Sequence, residues 1–327
     1  MTAQVVKGLT DPVFLIALLV GIAVFATFFT LMPSLAGNTL KSRMKSVALE
    51  RDELRIKQRA RLAAEADRRR KYQNSGTLPW QFNEPYPMAA CTSAVDYYGQ
   101  PKPSYYAVAR AYKPLHVSAR FDTMAWAGRD VFEAEIWVNN SLPVAFENVH
   151  IDAALRDERG VYHGQYCHTK VTVAPDSAAA VLKMSQPLSV IETDVFFLDI
   201  RLEDVERQRR KTYRYVFTKA TNFAPLLSVP PTTLMVHTDS DGDQQRWNMA
   251  NVGQYAAMFV RLEDDRPVGS PGYANFSDNH FCLVPTEQQL VTVEWHNVPE
   301  SERRIKISGW NIQRIVGLEE WLGENAP

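Results

Sequence analysis

From Val131 to Val138 the chain alternates residue by residue. Phe132, Ala134, Ile136 and Val138 share one face of an extended strand, while Glu133, Glu135 and Trp137 share the other. A period of two puts Phe132, Ala134, Ile136 and Val138 together on one side of a pleated sheet, so a second layer must cover them. Similar short runs follow between turn residues: "ENVHIDAALRD", "TKVTVA", "DVFFLDIRLED" and "KTYRYVFTK", with "PDSAAAVLKMSQPLSV" fitting a further strand and its loops. Half-buried antiparallel strands in this number predict an immunoglobulin-like sandwich over residues 115–218. The segments "TTLMVHTDS", "RWNMANVGQYAAMFVRLED", "HFCLVPTEQQLVTVEWHN" and "RRIKISGWN" predict a second sandwich over 219–327.

The first forty residues follow another logic. Val13 to Met32 ("VFLIALLVGIAVFATFFTLM") is an unbroken apolar or small-residue run, long enough as a helix to cross the ~30 Å hydrocarbon core of a bilayer. Lys7 stands alone before it, whereas Lys41, Arg43, Lys45, Arg51 and Arg55 follow. The positive-inside rule predicts a single-pass anchor over 1–40 in the inner (plasma) membrane, with the rest of the chain cytoplasmic. Residues 41–70 lack Gly and Pro and are rich in Ala, Leu, Glu, Arg and Lys, which predicts a charged, solvated cytoplasmic helix. Across the whole chain the formal net charge is −1, which does not fit a nucleic-acid footprint.

After Arg70 the composition shifts to Pro, Tyr, Trp and Gly. "SGTLPWQFN" reads as a short strand, "EPYPMAACTSAVDYYGQPKP" as a loop and "SYYAVARAYKPL" as a helix stopped by Pro114, one βα unit over 71–114. In such units ligands meet the C-terminal end of the strand.

Two resemblances attach to these segments. "DPVFLIALLVGIAVFATFFTLMPSLAG", "LKSRMKSVALERDELR" and "KQRARLAAEADRRR", over about 11–70, resemble the N-terminus of tight-adherence pilus platform proteins of the type II secretion system F family. "GTLPWQFNEPYP", "AVDYYGQPKPSYYAVARAYKPL", "NVGQYAAMFVRL" and "FSDNHFCLVP", spread over about 71–310, resemble the C-terminal part of glycoside hydrolase family 2 on its β-mannosidase-like branch. That second resemblance implies that 71–114 is the eighth strand and helix of a TIM barrel, followed by two β-sandwiches. The expected fold is therefore mainly β: two immunoglobulin-like sandwiches, preceded by a single orphan βα unit of a TIM barrel and by an N-terminal transmembrane helix with a charged helical extension.

The resemblance also implies a chemistry. Retaining glycosidases use two carboxyl groups about 5–5.5 Å apart. In the family these are glutamates on earlier barrel strands, upstream of the matched part, so the expectation is a chain with no catalytic residue of its own. Asn83-Glu84 imitates the Asn-Glu pair of the family's acid/base, but it lies in the loop after strand eight, where the family does not place the acid. Trp80 and Asn83 are the expected sugar contacts, the indole stacking on a pyranose and the amide bonding its hydroxyls. The partner implied is a β-glycoside, bound by the intact family. The alternative function is a membrane-anchored secretion-platform component that uses its sandwiches as a protein-interaction module.

No cofactor or metal site is expected. Cys91, Cys167 and Cys282 have no paired spacing. His163 and Cys167 fall on one strand face and His168 on the other. Asp239 to Asp243 ("DSDGD") has its glycine one place early for a calcium loop, and Ala250 stands where the closing glutamate belongs, so a polar hairpin turn is expected. Trp247 and Trp295 are expected in the sandwich core rather than on a sugar-binding surface.

Overall fold

The computed structural model describes residues 56–74, 76–77, 81–86 and 93–318. All of them belong to one compact unit, Leu54–Pro327. Val13–Met32, and with them the proposed membrane anchor, lie outside the described residues. Among the described residues no helix is long and apolar enough to cross a membrane.

The first sandwich is built as the alternation requires. One sheet has the order β1–β2–β5 (Leu115–Arg120, Val131–Asn140 and Ser177–Pro187). The other has the order β4–β3–β6–β7 (Tyr162–Val173, Phe146–Asp157, Val195–Asp204 and Arg209–Thr218), and every pairing is antiparallel. Phe132, Ala134, Ile136 and Val138 are all buried. Phe132 packs among Trp126, Phe196 and Phe217 at ring separations of 4.8, 5.8 and 5.2 Å, in tilted and edge-to-face arrangements that suit the aromatic quadrupole.

The second sandwich opposes a sheet β11–β13–β9–β8–β15 to a smaller sheet β12–β10–β14. The first sheet comprises β8 (Thr232–Asp241), β9 (Gln244–Asn251), β11 (Tyr273–Phe276), β13 (Gln288–His296) and β15 (Ile312–Gly317). The second comprises β10 (Ala257–Asp264), β12 (Phe281–Leu283) and β14 (Ile305–Ser308). Asp239–Asp243 forms the anticipated polar hairpin, with Gly242 at φ +59 at the tip between β8 and β9. Trp295 is 3% exposed inside this core and donates its indole N–H to Gln245 Oε1 at 2.9 Å; Trp247 is partly buried against it.

The residues of "NVGQYAAM" and "DNHF" are explained by backbone satisfaction. Asn251, fully buried, donates to the carbonyls of Tyr255 and Leu283 at 2.8 Å each, and accepts from Thr232 Oγ1 at 2.9 Å and the Gly253 amide at 3.1 Å. Asn279 exchanges hydrogen bonds with both backbone groups of Leu262 at 2.9 and 2.8 Å. Two amides thus pair backbone groups that no ladder reaches.

The two sandwiches are fused through a shared apolar cluster. Val195, Phe197 and Val216 of the first meet Leu226, Met258, Phe259 and Val284 of the second. The β10–β12 register shifts between Ala257 and Val260, where Phe259 sits at φ +51. This bulge turns Met258 and Phe259 out of the second core and into the shared cluster.

Two helices flank the junction. The first, α1, is helical over residues 56–69; the second, α2, is Pro103–Ala111. The expectation of a solvated α1 is wrong. Ala64 and Glu65 are 1% and 0% exposed, and Leu62 packs on the first core. Its charged stripe Lys57, Arg61, Glu65 and Arg68 faces inward, because the sandwich offers carbonyl oxygens and a tyrosine hydroxyl there. Between the helices no regular strand is seen among the described residues, and Leu78 and Trp80 lie outside them. The described part of the expected barrel strand instead makes an isolated bridge, Asn83 to Val95. A strand without barrel neighbours has no ladder to complete, and here the loop that follows takes the place of a neighbour.

Candidate functional site

The loop that carries the expected sugar contacts is held from beneath by a buried carboxylate. The Val95 amide donates to the Phe82 carbonyl at 2.9 Å and the Ala94 amide to the same oxygen at 3.0 Å, laying residues 81–84 alongside 93–97. Glu84, 4% exposed, points inward. It pairs with Lys102 at the N-cap of α2, and it accepts from Ser93 Oγ at 3.1 Å and from the Tyr97 amide at 3.3 Å. With Pro103 at the first helical position and Lys102 tied to Glu84, the loop and α2 are positioned as one piece.

Asn83 is exposed above this staple, and Trp80 lies outside the described residues. The two segments joined by the Asn83–Val95 bridge expose four aromatic rings, Phe82, Tyr86, Tyr97 and Tyr98, at 68, 60, 50 and 55% exposure. Tyr97 and Tyr98 meet edge to face at 5.2 Å. Exposed rings beside an amide provide stacking faces together with a donor and an acceptor. Sequence reasoning named Asn83 but missed the rings, although "DYYG" displays two of them.

The electrostatic centre that fixes α1 was also missed. Glu65 accepts from Arg61 Nε at 2.8 Å, from Tyr215 Oη at 2.7 Å and from His116 Nε2 at 3.2 Å. Burial alone would raise its pKa, but the Arg61 charge and the His116 hydrogen bond overcome this and hold it at about 2. Arg61 stacks on the Tyr215 ring with 3.7 Å from its guanidinium carbon to the centroid, and donates to the Arg214 carbonyl at 2.7 Å. Burial pushes His116 below the ordinary imidazole range, and its Nε2–H donates to the Glu65 carboxylate, which can only accept. Arg68 binds the carbonyls of Ala111 and, at 2.9 Å, Lys113, which ties α1 to the C-terminal end of α2.

The histidine and cysteine trio disperses. His163 bonds Asp157 at 3.1 Å, His168 bonds Asp152 at 2.6 Å, and Cys167 is partly buried against the first core. Among the described residues no group of three or more His, Cys, Asp or Glu side chains is placed to hold a metal.

With this geometry in place, the comparisons with known proteins converge on one group. Residues 212–312 match the exo-beta-D-glucosaminidase Ig-fold domain. Beta-mannosidase B of Emericella nidulans is 29% identical over 118 residues, 33% of this chain and 13% of that protein. Its counterpart in Aspergillus niger is 38% identical over 72 residues, 20% of this chain and 8% of that protein. In fold, the β-D-mannosidase of Dictyoglomus thermophilum superposes with a TM-score of 0.60 at 19% identity, covering 78% of this chain and 29% of the other. The exo-chitosanase of Amycolatopsis orientalis gives a TM-score of 0.59 at 17% identity, covering 80% and 33%. The matches thus span only a minor part of each relative. None of these findings supports the resemblance of 11–70 to a secretion platform. The sandwich-bearing part of this chain is similar, in sequence over its second sandwich and in fold over most of its length, to the C-terminal region of glycoside hydrolase family 2 β-mannosidases and glucosaminidases.

Proposed function

We propose that this chain carries the C-terminal accessory portion of a family 2 glycoside hydrolase acting on β-mannosides or β-glucosaminides. In this reading the fused sandwiches are its scaffold, and the Asn83 loop, with Trp80, makes its sugar contacts. The observation that carries the reading is a loop fixed by buried Glu84 that exposes Asn83 and, over residues 82–98, four aromatic rings. We further propose that the chain alone does not hydrolyse glycosides. The carboxylate beside Asn83 is closed off by Lys102 and Ser93, whereas a double displacement needs two carboxyl groups facing the substrate.

Purified full-length chain incubated with aryl β-mannoside, β-glucosaminide, β-galactoside and β-glucoside is expected to give no turnover above buffer. Turnover abolished by Glu84→Gln would show that Glu84 is the acid and that this reading is wrong.

Attachment to the plasma membrane with the sandwiches on the cytoplasmic side is also proposed. It rests on the apolar run Val13–Met32 and the basic residues after it. In membranes from expressing cells the chain should resist extraction by alkaline carbonate. Complete release into the carbonate supernatant would rule the anchor out.

A further inference from the structure

A cavity of about 980 Å³ opens where α1, α2, β7 and the edge of the second sandwich meet. Its walls are rich in cations, and three of the lining arginines have carboxylate partners, whereas Arg210 has none among the described residues. Arg61 pairs with Glu65, Arg110 with Asp278, and Arg214 with Asp199 and Glu287. The two lysines differ. Neither Lys57 nor Lys211 has a carboxylate within ion-pair distance among the described residues. Lys211 lies 5.8 Å from the Tyr213 ring centroid, and burial lowers its pKa.

Lys57 is the more unusual of the two. Its Nζ donates to the His280 carbonyl at 2.5 Å and stands 4.9 Å over the Phe259 ring, on the wall of the cavity. Burial, followed by the positive charge of Arg110, lowers its pKa to about 7; Arg61 acts in the same direction, while Cys282 and Asp278 oppose it. An amine that is substantially unprotonated at neutral pH is a nucleophile, and lysines desolvated beside other cations are the kind that condense with carbonyl compounds.

We propose that this cavity is a modification site, in which Lys57 condenses with a small aldehyde whose anionic group is held by Lys211 and the surrounding positive charge. The lone pair of the neutral Nζ attacks the carbonyl carbon and a carbinolamine forms. Water then leaves with the former carbonyl oxygen, and a C=N bond to Nζ remains. No oxidant or reductant enters this step. The anionic group supplies affinity, because cations not fully neutralised by carboxylates face it across the cavity. The proposal does not depend on the glycosidase reading.

Pyridoxal phosphate is a suitable probe, since it has both the aldehyde and the anion. The full-length chain is treated at neutral pH with less than one equivalent, reduced with borohydride to trap the imine, digested and mapped by mass spectrometry. Label is expected to concentrate on Lys57 at least fivefold over exposed lysines such as Lys170 and Lys183. Pyridoxal lacking the phosphate should label Lys57 several-fold less, and inorganic phosphate should compete with the phosphorylated probe. Lys57→Arg should remove the dominant labelled peptide, and Lys211→Met should weaken labelling while leaving Lys57 and its helix contacts in place. Retained far-ultraviolet circular dichroism would confirm that both variants fold. Label spread over surface lysines without enrichment at Lys57, or equal labelling of Lys57 with and without the phosphate, would overturn the proposal.

Discussion

Replacing Glu65 with alanine is expected to destabilise the sandwich-bearing unit by about 3–5 kcal/mol, because it leaves a mostly buried arginine without its counter-charge. Glu65 is fully buried and accepts three hydrogen bonds, from Arg61, Tyr215 and His116. Truncation therefore also strands a tyrosine hydroxyl and an imidazole N–H away from water. Glu65→Gln keeps an acceptor but not the charge, and should fall between wild type and alanine. The pH dependence has a definite sign. The carboxyl titrates at about 2 in the folded chain against its ordinary 4.5, so its stabilisation is complete above the ordinary value and is lost as pH falls from about 4.5 toward 2. His116, pushed below its ordinary range by burial, acts in the same direction: protonation below about pH 6.5 favours the unfolded chain. Urea midpoints measured from pH 7 to pH 3 should fall steeply for the wild type and less steeply for Glu65→Ala. Coincident curves for the two proteins would show that Glu65 does not hold the helix.

How much of this was legible in the sequence depends on where the information sits. The strand Val131–Val138 could be read directly, because a period of two in burial is written residue by residue and needs no knowledge of the partner. The hairpin at Asp239–Asp243 was legible for the same local reason. The inward face of α1 was not. Arg61, Glu65 and Arg68 recur at helical spacing, but charged residues at that spacing normally mark the solvent side. The groups that reverse the assignment are remote, Tyr215 lying 150 residues from Glu65 and the Lys113 carbonyl 45 residues from Arg68. A sharper reading would have asked why Tyr213 and Tyr215, two residues apart on β7, place hydroxyl-bearing rings on the buried side of a strand. Glu84 shows the same limit. "WQFNEP" identifies the loop by resemblance, but only the pairing with Lys102 and Ser93 shows that its carboxylate points inward.

A second large effect is expected at Arg214, where two sandwiches that share an apolar interface are also joined by a partly buried ionic network. Its guanidinium grips Asp199 of its own sandwich at 2.7 and 2.6 Å, Glu287 of the other at 2.7 and 2.8 Å, and the Cys282 carbonyl at 3.0 Å. Paired donors facing two carboxylates match the planar fork of arginine and no other side chain. Arg156 supports the same acids, at 3.5 Å from Asp199 and 3.0 Å from Glu287. Arg214→Met preserves much of the side-chain volume but leaves two carboxylates sharing one remaining cation, so a loss of about 3–5 kcal/mol is expected. Arg214→Lys should recover only part of it, since an ammonium cannot bridge both acids in this geometry. Because the cluster of Val195, Phe197, Leu226, Met258 and Phe259 still joins the sandwiches, the urea midpoint should fall with its slope unchanged, as in a transition that stays cooperative. A double-mutant cycle of Arg214→Met with Glu287→Gln isolates the contribution across the interface, expected at about 1–3 kcal/mol of coupling. That coupling should persist at high salt, where exposed ion pairs are screened but buried ones are screened far less. Additive losses in the cycle would show that Arg214 acts only within its own sandwich, through Asp199, and that the apolar cluster alone fuses the two domains.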